Sequence, residues 1–148
     1  HPHLVKPLEH IDNMTLWERV QGLPWQAAMP MLSFSMRSKV VLQCLSVFSY
    51  CNRMQHVLWD LHPGDVLLRM ADGPQLMLLD AYMEPDEILG RSWKSQVRNA
   101  GCLFMLPPEL RLGGPARLQC LWQMPDPARR VNTYAAALFM ASLACNLE

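Results

Sequence analysis

Two nearly unbroken apolar runs, "VLLRM" (66–70) and "QLMLLDAY" (75–82), have only "ADGP" between them. Runs of this kind joined by an Asp-Gly-Pro turn predict a β-hairpin. A strand that is apolar at almost every position has no face to offer water. The pair is therefore expected at the centre of its sheet rather than at an edge. Ahead of the first run, Pro63-Gly64 suits the two central positions of a type II turn, because Pro presets one φ and Gly accepts a positive one. Asp65 and Asp72 read as turn formers.

The rest of the chain must supply what covers this hairpin. Residues 1–14 read as an N-terminal arm, and residues 15–148 as a single globular α+β domain, which is enough chain for one core. The chain opens on His1 rather than Met, so an upstream segment is expected. Thr15 and Glu18 fit a capping box and predict a short helix stopping at Gly22. Leu32, Phe34 and Met36 alternate with polar neighbours, the period of a half-buried strand. From Ser38 the period changes: Val41, Cys44, Leu45, Phe48 and Cys51 recur at helical spacing, predicting a helix over 39–55.

Beyond the hairpin, Pro85 suits a first helical position, with Asp86 and Glu87 at the positive end of the helix dipole. Leu89, Trp93 and Val97 would be the apolar stripe of that helix. "GCLFMLP" (101–107) and "ARLQCLWQMP" (116–125) are further strand candidates. Asp126 as N-cap and Pro127 at the next position open a final helix rich in Ala, Leu and Met. The sum is an α+β fold: a mostly antiparallel sheet of four to five strands with three to four helices, including a long C-terminal helix. The five Trp residues are expected to anchor one core.

Five Cys, at 44, 51, 102, 120 and 145, form no Cys-x-x-Cys. An odd set without close pairs reads as free thiols, hence an intracellular, reducing compartment such as cytoplasm or nucleus. The apolar runs are far shorter than a membrane span. His1, His3, His10, His56 and His62 do not join these Cys in the tight pairs a tetrahedral metal site needs, so neither metal nor cofactor is expected. Cys51, His56 and Asp60 are close in sequence. Five residues along a helix, however, turn Cys51 and His56 about 140° apart. A nucleophilic Cys also needs an electropositive, accessible setting. Asp80, Glu84, Asp86 and Glu87 read as a strand end and a dipole-matched helix start rather than as paired catalytic carboxylates. No phosphate loop, dinucleotide fingerprint or Gly-x-Ser-x-Gly is present. The expectation is a non-enzyme without catalytic residues.

The charge map carries more information. Thirteen basic and thirteen acidic residues cancel overall. Residues 1–90 nonetheless hold six basic against ten acidic residues, a balance of −4, and residues 91–130 hold seven against two, a balance of +5. Ten of the thirteen basic residues are Arg, which suits two-pronged contacts with carboxylates at interfaces. Arg91, Lys94 and Arg98 fall on one stripe of the predicted helix, opposite its apolar residues. Arg129 and Arg130 stand at a helix start, where cations are disfavoured by the dipole, so their placement suggests a use. These five residues are the candidate partner-binding set.

Their partner would be a protein with an acidic surface or another copy of the same chain, which would make a homo-oligomer. An anionic membrane surface is a further source of negative charge. Nucleic acid is disfavoured by the neutral pI and the lack of aromatic-interleaved basic runs. The expected role is a non-enzymatic protein-interaction or self-assembly domain within a larger complex or regulatory system. The alternative is a small-molecule sensor domain of a regulator, its 61–82 hairpin lining an apolar pocket.

Overall fold

The computed structural model describes residues 1–12, 14–58, 61, 63–79, 120 and 123–145. Within them the chain is a mixture of helix and antiparallel strand: β1 (Pro7–Ile11), β2 (Met14–Trp17), β3 (Leu23–Pro24), α1 (Trp25–Ala28), α2 (Phe34–Arg53), β4 (Val66–Arg69), β5 (Gln75–Leu78) and α3 (Pro127–Cys145). The strands form two small antiparallel sheets, β1–β2 and β3–β4–β5, rather than the single larger sheet expected from sequence.

The hairpin of apolar runs is β4–β5, in register from Val66 opposite Leu78 to Arg69 opposite Gln75. It is covered at both edges. On one side β3 pairs Leu23 with Leu68 and Pro24 with Leu67. Pro is tolerated there because β3 is itself an edge strand. A side chain on Gly22 would place its Cβ 3.0 Å from the Leu68 carbonyl oxygen, which explains Gly where the chain enters this strand. On the other side residues 1–5 lie against β5: Leu78 N–H donates to His3 O (2.8 Å), and Val5 N–H donates to Leu78 O (3.0 Å). A Gln43 amide from α2 fills the next position, accepting from Leu76 N–H (2.7 Å) and donating to Pro74 O (3.0 Å). His3 Nδ1 donates to Leu76 O (2.9 Å). A buried edge must satisfy its backbone groups, and here two side chains and an arm share that task.

Several local expectations are corrected. Residues 14–17 are strand β2, not a helix started by a Thr15–Glu18 capping box: Thr15 pairs with His10, and Glu18 instead accepts from Lys6 N–H (3.3 Å). Leu32, Phe34 and Met36 are not a strand. Ser33 is an N-cap whose hydroxyl accepts from Met36 N–H (3.3 Å), and α2 starts at Phe34, which stands 87 % exposed. Pro63–Asp65 is a 3-10 turn rather than a type II turn, and Gly73 is the glycine with positive φ among the described residues. Cys120, inside the strand candidate 116–125, has helical backbone. The helix expected from Pro85 and the strand candidate 101–107 lie outside the described residues.

The core joins both helices to the sheet. Trp25, Ala28, Met29 and Leu32 meet Val40, Cys44, Val47, Phe48 and Cys51 of α2, Val66, Leu68, Leu76 and Leu78 of the hairpin, and Ala135, Ala136 and Phe139 of α3. Trp25 and Phe139 stack with ring centroids 4.6 Å apart in a tilted arrangement, a favourable aromatic geometry. Trp25 thus anchors the core as expected, Trp17 is only half-buried, and the other three Trp lie outside the described residues. Among the described residues no helix is long and apolar enough to cross a membrane.

Candidate functional site: a basic-edged groove between two helices

On α3, Ala128, Val131, Asn132, Ala135, Ala136 and Phe139 are buried, the spacing of one helical face. One of them is polar. Asn132 is fully buried, and its side chain makes three hydrogen bonds. Its Oδ1 accepts from Leu58 N–H, and its Nδ2 donates to Asn52 Oδ1 and to His56 O, all at 2.8 Å. These partners are gathered by the way α2 ends. Gln55 takes φ 56°, and the turn closes with His56 N–H donating to Cys51 O (2.9 Å) and Gln55 N–H donating to Asn52 O (3.2 Å). This is a Schellman-type stop. It turns the His56 carbonyl toward α3 and so ties the C-terminal end of α2 to the N-terminal end of α3.

A groove runs along this tie. Leu45, Phe48, Ser49, Asn52, Arg53 and Gln55 of α2 and its end turn form one wall. Arg129, Thr133, Ala136, Ala137 and Met140 of α3 form the other, with Asp126 at the end, and the space is about 590 Å³. Its floor is apolar and its mouth is basic. Arg129 and Arg130 are exposed in the first turn of α3, and Arg53 is exposed at the last turn of α2. Arg129 also lines an adjoining depression, there with Pro125, Asp126, Arg130, Thr133 and Tyr134. No carboxylate among the described residues pairs with Arg53, Arg129 or Arg130. Asp126 precedes the helix as expected, but with φ 52°, and its backbone carbonyl accepts from Arg130 N–H (3.3 Å).

Of the five candidate partner-binding residues, Arg129 and Arg130 therefore share one exposed rim, while Arg91, Lys94 and Arg98 lie outside the described residues. Sequence reading missed Arg53, because nothing local links residue 53 to residue 129. It also missed Asn132, whose signal was available: a lone amide in an otherwise apolar stripe.

The other readings meet less favourable geometry. Cys44 and Cys51 are buried on one face of α2. Burial pushes the Cys44 thiol from an ordinary 9.0 up to about 12 and the Cys51 thiol up to about 11, so both stay protonated and pack as small hydrophobes. Cys51 faces the core, and His56 meets it through backbone atoms. Among the described residues no three His, Cys, Asp or Glu side chains could jointly hold a metal ion. In the β4–β5 hairpin, Val66, Leu68, Leu76, Leu78 and Met77 are buried, four of them in the main core. Its outer end, Leu68–Ala71, walls an open depression with Arg19 and residues 21–23, and its turn walls a second one with Lys39 and Gln43 of α2.

No family model matches the chain, and no curated protein matches its sequence.

Proposed function

We propose that this protein is a non-enzymatic interaction domain that self-associates, or docks an acidic protein surface, through the basic-edged groove between α2 and α3. The supporting observation is the rim of Arg53 and Arg129, with exposed Arg130 beside it, without carboxylate partners among the described residues, over a floor of Leu45, Phe48, Ala136 and Met140. An apolar floor favours burial, and an unpaired arginine rim favours carboxylates with two-pronged geometry. Arg placed against the helix dipole is costly without a partner, and an anionic partner removes that cost. Arg91, Lys94 and Arg98 complete the proposed contact set.

Charge reversal tests the reading. Arg129→Glu with Arg130→Glu should leave the melting temperature within a few degrees, because both side chains are exposed, and should lower association measured by light scattering or pull-down at least tenfold. Reversing Arg91, Lys94 and Arg98 in a separate variant tests the second half of the set. Unchanged association in both variants removes the hypothesis.

A further inference from the structure

A second surface of the molecule also lacks a partner. β1 and β2 form a two-stranded ribbon that pairs with no third strand among the described residues. Ile11 sits opposite Met14, and Glu9 opposite Leu16, so these four share one face. Leu8 is the unpaired residue at the bulge between Pro7 and Glu9. Leu8, Ile11, Met14 and Leu16 are 47–68 % exposed. Two-stranded ribbons are marginal in water by themselves, and a contiguous exposed apolar face on such a ribbon marks a contact surface. Its charge is acidic toward the tip, where Glu9 and Asp12 are both exposed.

Resting on the interaction reading above, we propose that the groove between α2 and α3 receives the β1–β2 ribbon of a second copy of this chain. The two surfaces are complementary in both respects that matter. The ribbon offers aliphatic side chains and carboxylates; the groove offers an apolar floor with Arg53 and Arg129, and Arg130 just beyond it, against the one carboxylate of Asp126. Pairing two ribbons with each other would instead bring Glu9 and Asp12 of both copies together, and pairing two grooves would oppose their arginines. Like charges across an interface are disfavoured, so the ribbon-to-groove contact is the one the charges select. It is heterologous: each copy gives a ribbon and receives one, so the chain closes into a ring or grows open-ended.

Such a contact predicts complementation. The ribbon variant Met14→Lys with Leu16→Lys keeps an intact groove, and the groove variant Arg53→Glu with Arg129→Glu keeps an intact ribbon. The milder pair Met14→Ser with Leu16→Ser, and Arg53→Gln with Arg129→Gln, serves if either charged variant loses its cooperative melt. By sedimentation velocity at low salt, each variant alone should be monomeric at concentrations where the wild type associates. An equimolar mixture of the two should form a dimer that grows no further, because only one productive ribbon and one productive groove remain in each pair. A groove variant that associates like the wild type would point to ribbon–ribbon pairing and overturn the contact, as would a mixture that stays monomeric. Wild-type association untouched by either variant ends this contact but leaves self-association standing. A wild type that is monomeric throughout ends both.

Discussion

Asn132 is the residue on which the geometry of the groove depends most. An amide buried without partners costs free energy, whereas one with its acceptor and both donors used is specific about what must lie beside it. Leu58, Asn52 and His56 fill those roles, so α3 has one position along α2 in which the core closes. Asn132→Ala strands the buried Leu58 N–H and should destabilise the protein by about 3 kcal/mol in urea unfolding. Asn52→Ala removes only one half-buried acceptor and should cost about 1 kcal/mol. Equal costs would mean that Asn132 does not organise the pair. Cys44 and Cys51 contribute differently: they are interior volume, and their protonated state follows from burial.

At the scale of elements, what sequence made legible was what burial dictates locally. The β4–β5 hairpin follows from two apolar runs and a turn, and its flanking by β3 on one edge and residues 3–5 on the other agrees with strands that have no polar face. α2 follows from its periodicity, and α3 from Pro127 and its run of Ala, Leu and Met. The errors lie where a short window carried two readings. Leu32, Phe34 and Met36 have strand alternation, but Ser33 caps a helix, and the tertiary demand that Val40, Cys44 and Val47 face the core extends that helix back to Phe34. Thr15 and Glu18 match a capping box, yet Asp12, at φ 51°, takes the left-handed conformation that short polar side chains tolerate in a tight hairpin turn, and the flanking residues pair as strands. The groove could not be read at all, since its walls are some eighty residues apart in sequence. The same holds for Gln43, whose amide seals β5. Gln43→Ala should cost about 1–2 kcal/mol and should specifically expose the Leu76 amide to hydrogen exchange. A Leu76 amide that stays protected would show that the seal lies elsewhere.

At the scale of the whole molecule, a net charge of zero conceals a division between an acidic first ninety residues and a basic stretch after them. Among the described residues, Glu9 and Asp12 of that first part stand exposed on the β1–β2 ribbon, and Arg129 and Arg130 of the second stand exposed at the start of α3, the two surfaces proposed above to meet. Contacts between exposed opposite charges weaken as salt screens them, with a Debye length of about 30 Å at 0.01 M and about 8 Å at physiological ionic strength. The apolar part of the same contact persists. The most direct measurement is therefore sedimentation velocity of the unmodified chain across a range of protein concentrations at low and at high salt. The account predicts a weight-average sedimentation coefficient that rises with concentration at low salt and rises markedly less at high salt. A single monomeric value under every condition, or association that strengthens with salt, would contradict it.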